Sequence, residues 1–229
     1  MKQVIKQCSS PNFNDRTLPV NGIVIHYTEE ELDDTFRIFA NDKRKKRVSS
    51  HYVIDRDGAA YVVVPEEKRA WHAGVGSWRG ITDLNSASIG IELVYKPGEE
   101  YQIEQIDSLI DLCHAIKSRY DIEWVIGHSD CAFARGKVDP GPSFPWERLA
   151  EAGIGIWPDG SLCRSHLETG ELLSRIGYDV TNLDSAIGAF SLHYCPTLNR
   201  HRDIWEREFR TYVESVYAVA LKGDSICLK

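Results

Sequence analysis

Five ionisable residues in the 229-residue chain sit where such groups are unexpected. His26 lies near the end of the apolar run IVIHY (23–27), and Glu92 lies inside SIGIELV (88–94). His128, Lys137 and Asp139 fall in GHSDCAFARGKVDPGPSFPW (127–146), a stretch rich in glycine and proline. Buried strands seldom carry such groups without a partner, because an unpaired charge is costly to bury. A catalytic zinc needs about three nitrogen, oxygen or sulfur ligands and one open position for water. His26 and His128 at two strand ends, with a carboxylate from the Gly/Pro-rich stretch, would supply them. Asp130 and Asp139 compete for the carboxylate place. Pro140 restricts the backbone of Asp139 and nothing comparable fixes Asp130, so Asp139 is preferred. Cys131 is a less favoured third ligand.

One zinc per chain would acidify a bound water. Glu92 is suited to take its proton and deliver it to a leaving amine. Lys137 is suited to stabilise an oxyanion from across the metal. Together these parts make a zinc amide hydrolase. The helical H-E-x-x-H signature is absent, so this is not that class of metalloprotease. Each residue alone has an ordinary reading. A lone strand histidine is usually a hydrogen-bonded core residue, Glu92 could face solvent on an alternating strand, and Lys137 with Asp139 could be an exposed pair. The combination, not any single member, favours chemistry.

The elements that must position these groups follow from periodicity. IVIHY reads as a buried strand, 29–40 as an amphipathic helix with Leu32, Thr35, Phe36 and Phe39 on one face, and 51–64 as a hairpin turning at Asp57-Gly58. The charge run NDKRKKR (41–47) reads as a solvated loop or helix end. WHAGVGSWRGITDLN (71–85) has no period and reads as a long, functional loop. SIGIELV is a strand, and 102–120 is a core-packed helix carrying Ile103, Ile106, Leu109, Ile110, Cys113 and Ile116. EWVIGH is a buried strand ending at His128. The order implies an α/β fold, a mixed central sheet flanked by helices. Turn residues in WPDGSLCRS (157–165) mark a boundary. Three short helices follow, which divides the chain into a catalytic domain (1–160) and a small helical domain (161–229).

Hydrophobic residues at 42% leave enough apolar surface for a sizeable core, and a net charge of −7 argues against a general nucleic-acid binder. No apolar run approaches the roughly 20 residues needed to span a bilayer. The N-terminus lacks an apolar signal region, which favours the cytoplasm, with the periplasm or cell envelope as the alternative. The cysteines at 8, 113, 131, 163, 195 and 227 have no C-x-x-C spacing and read as buried or free thiols. Oligomeric state is left open.

IVIHYT, SSHYVIDRDG, AWHAGVGSWRG, LNSASIGIELV, VIGHSD and KVDPGPSFPW, six blocks in order over residues 9–157, resemble the N-acetylmuramoyl-L-alanine amidase type 2 family, peptidoglycan amidases related to animal peptidoglycan recognition proteins. The resemblance implies that fold, with a zinc-dependent cut between N-acetylmuramic acid and L-alanine in peptidoglycan or muropeptides. It implies metal ligands at His26, His128 and Asp139, catalytic roles for Glu92 and Lys137, and a substrate cleft involving Trp71, His72, Arg79 and Asn85. Trp71 and Trp78 also have an ordinary reading as core, and His51 reads as structural. ELLSRIGYDVTNLDSAIGAFSLHYCP (171–196) resembles the small three-helix peptidoglycan-binding domain of longer amidases, or a packed extension that has lost wall binding. The rivals are a non-hydrolytic peptidoglycan-binding protein and a different zinc peptidase.

Overall fold

In the computed structural model, residues 6–41, 43, 45–161, 164–198 and 205–223 are described. In chain order the strands are β1 (Lys6–Gln7), β2 (Phe13–Asp15), β3 (Gly22–Tyr27), β4 (Tyr52–Ile54), β5 (Ala60–Val62), β6 (Lys68–Ala70), β7 (Ser88–Leu93) and β8 (Trp124–Gly127). The helices are α1 (Leu32–Phe39), α2 (Leu84–Ala87), α3 (Ile103–Lys117), α4 (His128–Ala132), α5 (Trp146–Glu151), α6 (Thr169–Ile176), α7 (Leu183–Tyr194) and α8 (Trp205–Gly223). Six strands form one sheet in the order β1-β5-β4-β7-β3-β8, and β2 pairs with β6 separately. β3 runs parallel to both β7 and β8, while β4 and β5 form the antiparallel hairpin. A mixed α/β sheet flanked by helices is therefore the architecture.

Strands covered on both faces need apolar residues on both, which explains why IVIHY and SIGIELV lack alternation. The period of two still sorts their side chains. Ile23, Ile25, Ile89, Ile91 and Val125 share one core with Ile106, Leu109, Leu112 and Ile116 of α3. Val24 and Ile126, on the other face, share a core with Leu172, Leu173, Ile176, Phe190 and Val213 of α6, α7 and α8. The C-terminal helices thus pack directly on the sheet face from which His26 and Glu92 also project. Among the described residues, no helix is long and apolar enough to cross a membrane.

The elements differ from the sequence reading in three places. The helix expected from residue 29 begins at Leu32, because Glu29 has a left-handed backbone (φ 59°). Ile103, the first residue of α3, is 62% exposed and not core. The last strand stops at Gly127, and His128 opens α4. The amide of Gly127 is taken by the Asp130 side chain, which ends the ladder and starts a helix. A 3-10 turn at Phe133–Arg135 follows, so the Gly/Pro-rich stretch is partly helical. Lys43, Lys45, Lys46 and Arg47 of the charge run are exposed. Residues 1–5, Asp42, Arg44, Leu162, Cys163, the positions 199–204 that include the start of the last expected helix, and Cys227 lie outside the described residues.

One glycine fixes the geometry of the site-bearing face. A Cβ on Gly90 of β7 would lie 2.4 Å from the His72 ring, so the absence of a side chain there is what lets His72 lie against the sheet. Gly90→Ala should destabilise the protein by about 1–3 kcal/mol, the usual cost of overpacking. Urea unfolding of the variant beside the parent measures this.

Candidate active site

Three strands deliver the ionisable groups. In the parallel register His26 stands opposite Glu92, and Ile25 stands opposite Gly127. His128, one residue beyond Gly127, is thereby set beside His26, with ring centroids 4.5 Å apart. Asp139 returns to the same point because its carbonyl accepts the Ser129 amide at 2.9 Å. A Cβ on Gly127 would come within 2.6 Å of Pro140 Cδ, so glycine is needed where the returning chain crosses the strand end.

His26, His128 and Asp139 are all buried, and one ligand-type atom from each lies within 4.8 Å of the others. Nδ1 of His26 and Nδ1 of His128 face the same carboxylate oxygen, Asp139 Oδ2, at 3.1 and 3.0 Å. The far side of each ring is also occupied. Nε2 of His128 lies 2.9 Å from the Ala73 carbonyl, which can only accept, so a hydrogen bond there needs the proton on Nε2; Arg135 Nη2, 3.4 Å from the same nitrogen, donates to that carbonyl at 2.7 Å. Nε2 of His26 lies 3.0 Å from Nδ1 of His72, whose own Nε2 faces Ser88 Oγ at 3.5 Å, and that hydroxyl donates to the Leu84 carbonyl. A neutral imidazole has one N–H to give. With Nε2 donating, both Nδ1 lone pairs point at an anionic oxygen, an arrangement that requires a proton or a cation between them. The donor set, two imidazoles with anchored far nitrogens and one carboxylate, is the chemistry of a divalent metal site.

Electrostatics agree. Burial, reinforced by the neighbouring His128, pulls His26 down to about 4 despite Asp139, so the ring resists the proton that a cation would replace. Burial opposes ionisation of Asp139, yet a positive charge shared with the facing His128 and His26 rings holds it well below the usual carboxylate range. Burial, with Asp139 adding to it, raises Glu92 well above its ordinary range, and Lys137 opposes the rise. Glu92 Oε2 is buried with no hydrogen-bond partner among the described residues. Lys137 is half-buried, and no described side chain or carbonyl pairs with its ammonium.

All five groups line one cleft of about 240 Å³, together with Tyr27, Glu29, Val48, Trp71 and His72. Trp71 stands on its wall, its indole N–H donating to Asn14 Oδ1 at 2.6 Å and Arg47 lying over its ring at 4.8 Å. His72 borders the cleft but is tied to His26, as described. The other two expected cleft residues lie elsewhere. Asn85 is buried beneath the 71–85 loop, where Oδ1 accepts the amides of His72 and Ala73 at 2.9 and 2.7 Å. Arg79 is outside the cleft at the junction with the C-terminal helices, its amide donating to the Gly177 carbonyl at 2.8 Å. Trp78 is core, as its ordinary reading held. Cys131 is not in the ligand cluster. Its Sγ faces the His128 carbonyl at 3.3 Å, and burial pushes the thiol up, away from the thiolate a metal needs. Sequence reasoning missed Asn14 and Arg47, which hold Trp71. An Asn within a three-residue exposed strand and one cation in a basic run carry no signal for such a role.

The match with known proteins rests on most of the chain. Residues 16–142 match the N-acetylmuramoyl-L-alanine amidase family. N-acetylmuramoyl-L-alanine amidase AmiD of Escherichia coli K12 is 38% identical over 215 residues, spanning 78% of this chain and 76% of AmiD. The chain belongs to this amidase family. The 1,6-anhydro-N-acetylmuramyl-L-alanine amidase AmpD of Citrobacter freundii is 44% identical over 105 residues, 45% of this chain and 56% of AmpD. Escherichia coli AmiD, solved in complex with the substrate anhydro-N-acetylmuramic acid-L-Ala-D-gamma-Glu-L-Lys, superposes with a TM-score of 0.72 at 33% identity, covering 91% of this chain and 92% of that one. AmpDh3 of Pseudomonas aeruginosa in complex with anhydromuramic pentapeptide gives 0.68 at 30% identity, covering 87% and 91%. The likeness to AmiD takes in too large a share of the chain to be confined to residues 1–160.

Beside the cleft, His51 accepts the Gly90 amide at Nδ1 (2.9 Å), and its Nε2 meets the Lys68 carbonyl at 3.0 Å. Burial, with the adjacent Arg16 cation, lowers it to about 3 from an ordinary 6.5. The unfolded chain therefore takes up this proton first. Stability from His51 is complete above about pH 6.5 and is lost as pH falls towards 3. Urea titrations of the metal-free protein should show falling stability over this window. His51→Asn should be less stable at neutral pH and lose less on acidification.

Proposed function

We propose that this chain hydrolyses the amide between N-acetylmuramic acid and L-alanine in peptidoglycan or muropeptides, using one zinc held by His26, His128 and Asp139. The observation that supports the reading most is the pair of histidine Nδ1 atoms facing Asp139 Oδ2 in a cleft that also holds Glu92, whose Oε2 has no partner among the described residues. The substrates named for the AmiD and AmpDh3 complexes supply the bond class. When bound, zinc polarises the scissile carbonyl and lowers the pKa of water.

The remaining work falls to the chain. Glu92 takes a proton from the attacking water. Its raised pKa lets it hold that proton, then hand it to the departing L-alanine nitrogen. Lys137, on the cleft wall with no partner for its ammonium among the described residues, stabilises the negative charge that develops on the carbonyl oxygen. Trp71 offers a flat wall to the sugar or peptide. His72 and Asn85 act at one remove, His72 by orienting His26 and Asn85 by holding the loop that carries His72 and Ala73.

Glu92→Ala should keep a full complement of zinc and lose about 10²–10⁴-fold in turnover, the usual worth of a positioned acid-base group. His128→Ala should lose both. Metal content and mass analysis of muropeptide products measure the two outcomes. A zinc-loaded parent that leaves the lactyl-alanine bond intact would make the chain a binding protein. Cleavage of a bare stem peptide as readily as one on muramic acid would make it a peptidase.

A further inference from the structure

Asp130 lies two residues beyond His128 on α4, and its side chain is wholly buried. Its Oδ2 accepts the Gly127 amide at 2.8 Å and Nδ1 of His193 at 2.7 Å, and its Oδ1 accepts the Tyr178 hydroxyl at 2.7 Å. Gly127 closes β8, so the first bond clamps strand to helix across His128 itself. The other two donors come from the C-terminal helices: His193 is on α7, and Tyr178 follows α6.

Both donors are held rigidly. The His193 ring is stacked between Trp146 (centroids 3.8 Å, planes 19° apart) and Tyr194 (3.9 Å, 11°). Tyr178 meets Trp78 edge-on at 4.9 Å. His193 Nε2 is buried without a partner among the described residues. Leaving a buried polar atom unsatisfied costs free energy, and an apolar ring would fill the same stack without that cost. The histidine is there for what its Nδ1 does, which is to hold Asp130.

We propose that Tyr178 and His193 are positioning residues for the metal ligand His128, acting through Asp130 to lock the β8–α4 junction on which His128 stands. The C-terminal helices are in this sense a brace of the catalytic centre. The inference rests on the metal reading of His26, His128 and Asp139 given above.

The test uses the full chain, with zinc Kd measured by competition against a chromophoric chelator and stability by urea unfolding. Tyr178→Phe and His193→Ala should each weaken zinc binding by about tenfold, within the range found when a partner supporting a ligand is removed. Leu172→Ala removes a fully buried side chain from the same helices without touching Asp130. It should lower stability and leave the zinc Kd of the folded protein unchanged. Zinc binding as tight in the Asp130-partner variants as in the parent would overturn the inference, whatever happens to their stability. If His193→Ala does not fold, Tyr178→Phe, which keeps the ring, decides alone. A folded parent that binds no zinc would instead overturn the metal reading, and this inference with it.

Discussion

The structure turns on the meeting of two imidazole lone pairs with one carboxylate oxygen. With Nε2 of His128 committed to the Ala73 carbonyl and Nε2 of His26 facing His72, the two Nδ1 atoms and Asp139 Oδ2 close at 3.0–3.1 Å with no N–H left between them. Such an arrangement is stable only around a positive charge. The surrounding fold keeps it from relaxing. β3 brings His26, β8 ends at the point that makes His128 its neighbour, and the Asp139 carbonyl is fastened to the Ser129 amide. Gly90 and Gly127 are side-chain-free where His72 and Pro140 must press against the sheet.

Around this centre, burial sets the acid-base behaviour. Glu92 shares a register position with His26, and one of its two carboxyl oxygens is buried with no partner among the described residues. The cost of ionising it there raises its pKa well above the ordinary range, whereas Asp139 is held well below it by the positive charge it shares with the two histidines that face it. Two carboxyl groups are driven apart in pKa by different surroundings, which is what the proposed division into a ligand and an acid-base group requires.

The sequence made the sheet and its central groups legible because those groups violate their surroundings. A histidine in IVIHY and a glutamate in SIGIELV are conspicuous against apolar neighbours, and the strand and α3 periodicities are strong. The short strands β1, β2 and β6 were not legible, since two or three residues carry no period. α4 was hidden by the glycine and proline around it, and its start depends on Asp130 capturing the Gly127 amide. Asn85 and Arg79 show the other limit. Asn85 acts through hydrogen bonds to loop amides, and Arg79 is carried away from the cleft by a left-handed backbone (φ 50°) and a bond to Gly177. Asp130 had no role that sequence spacing could supply, because its partners lie 48 and 63 residues away.

The most direct test of the metal centre is X-ray absorption at the zinc edge of the zinc-loaded protein. The account predicts a first shell of nitrogen and oxygen only, at about 2.0–2.2 Å, with the outer-shell pattern of two imidazoles. A sulfur scatterer at about 2.3 Å would place Cys131 on the metal instead of Asp139 and contradict the ligand set.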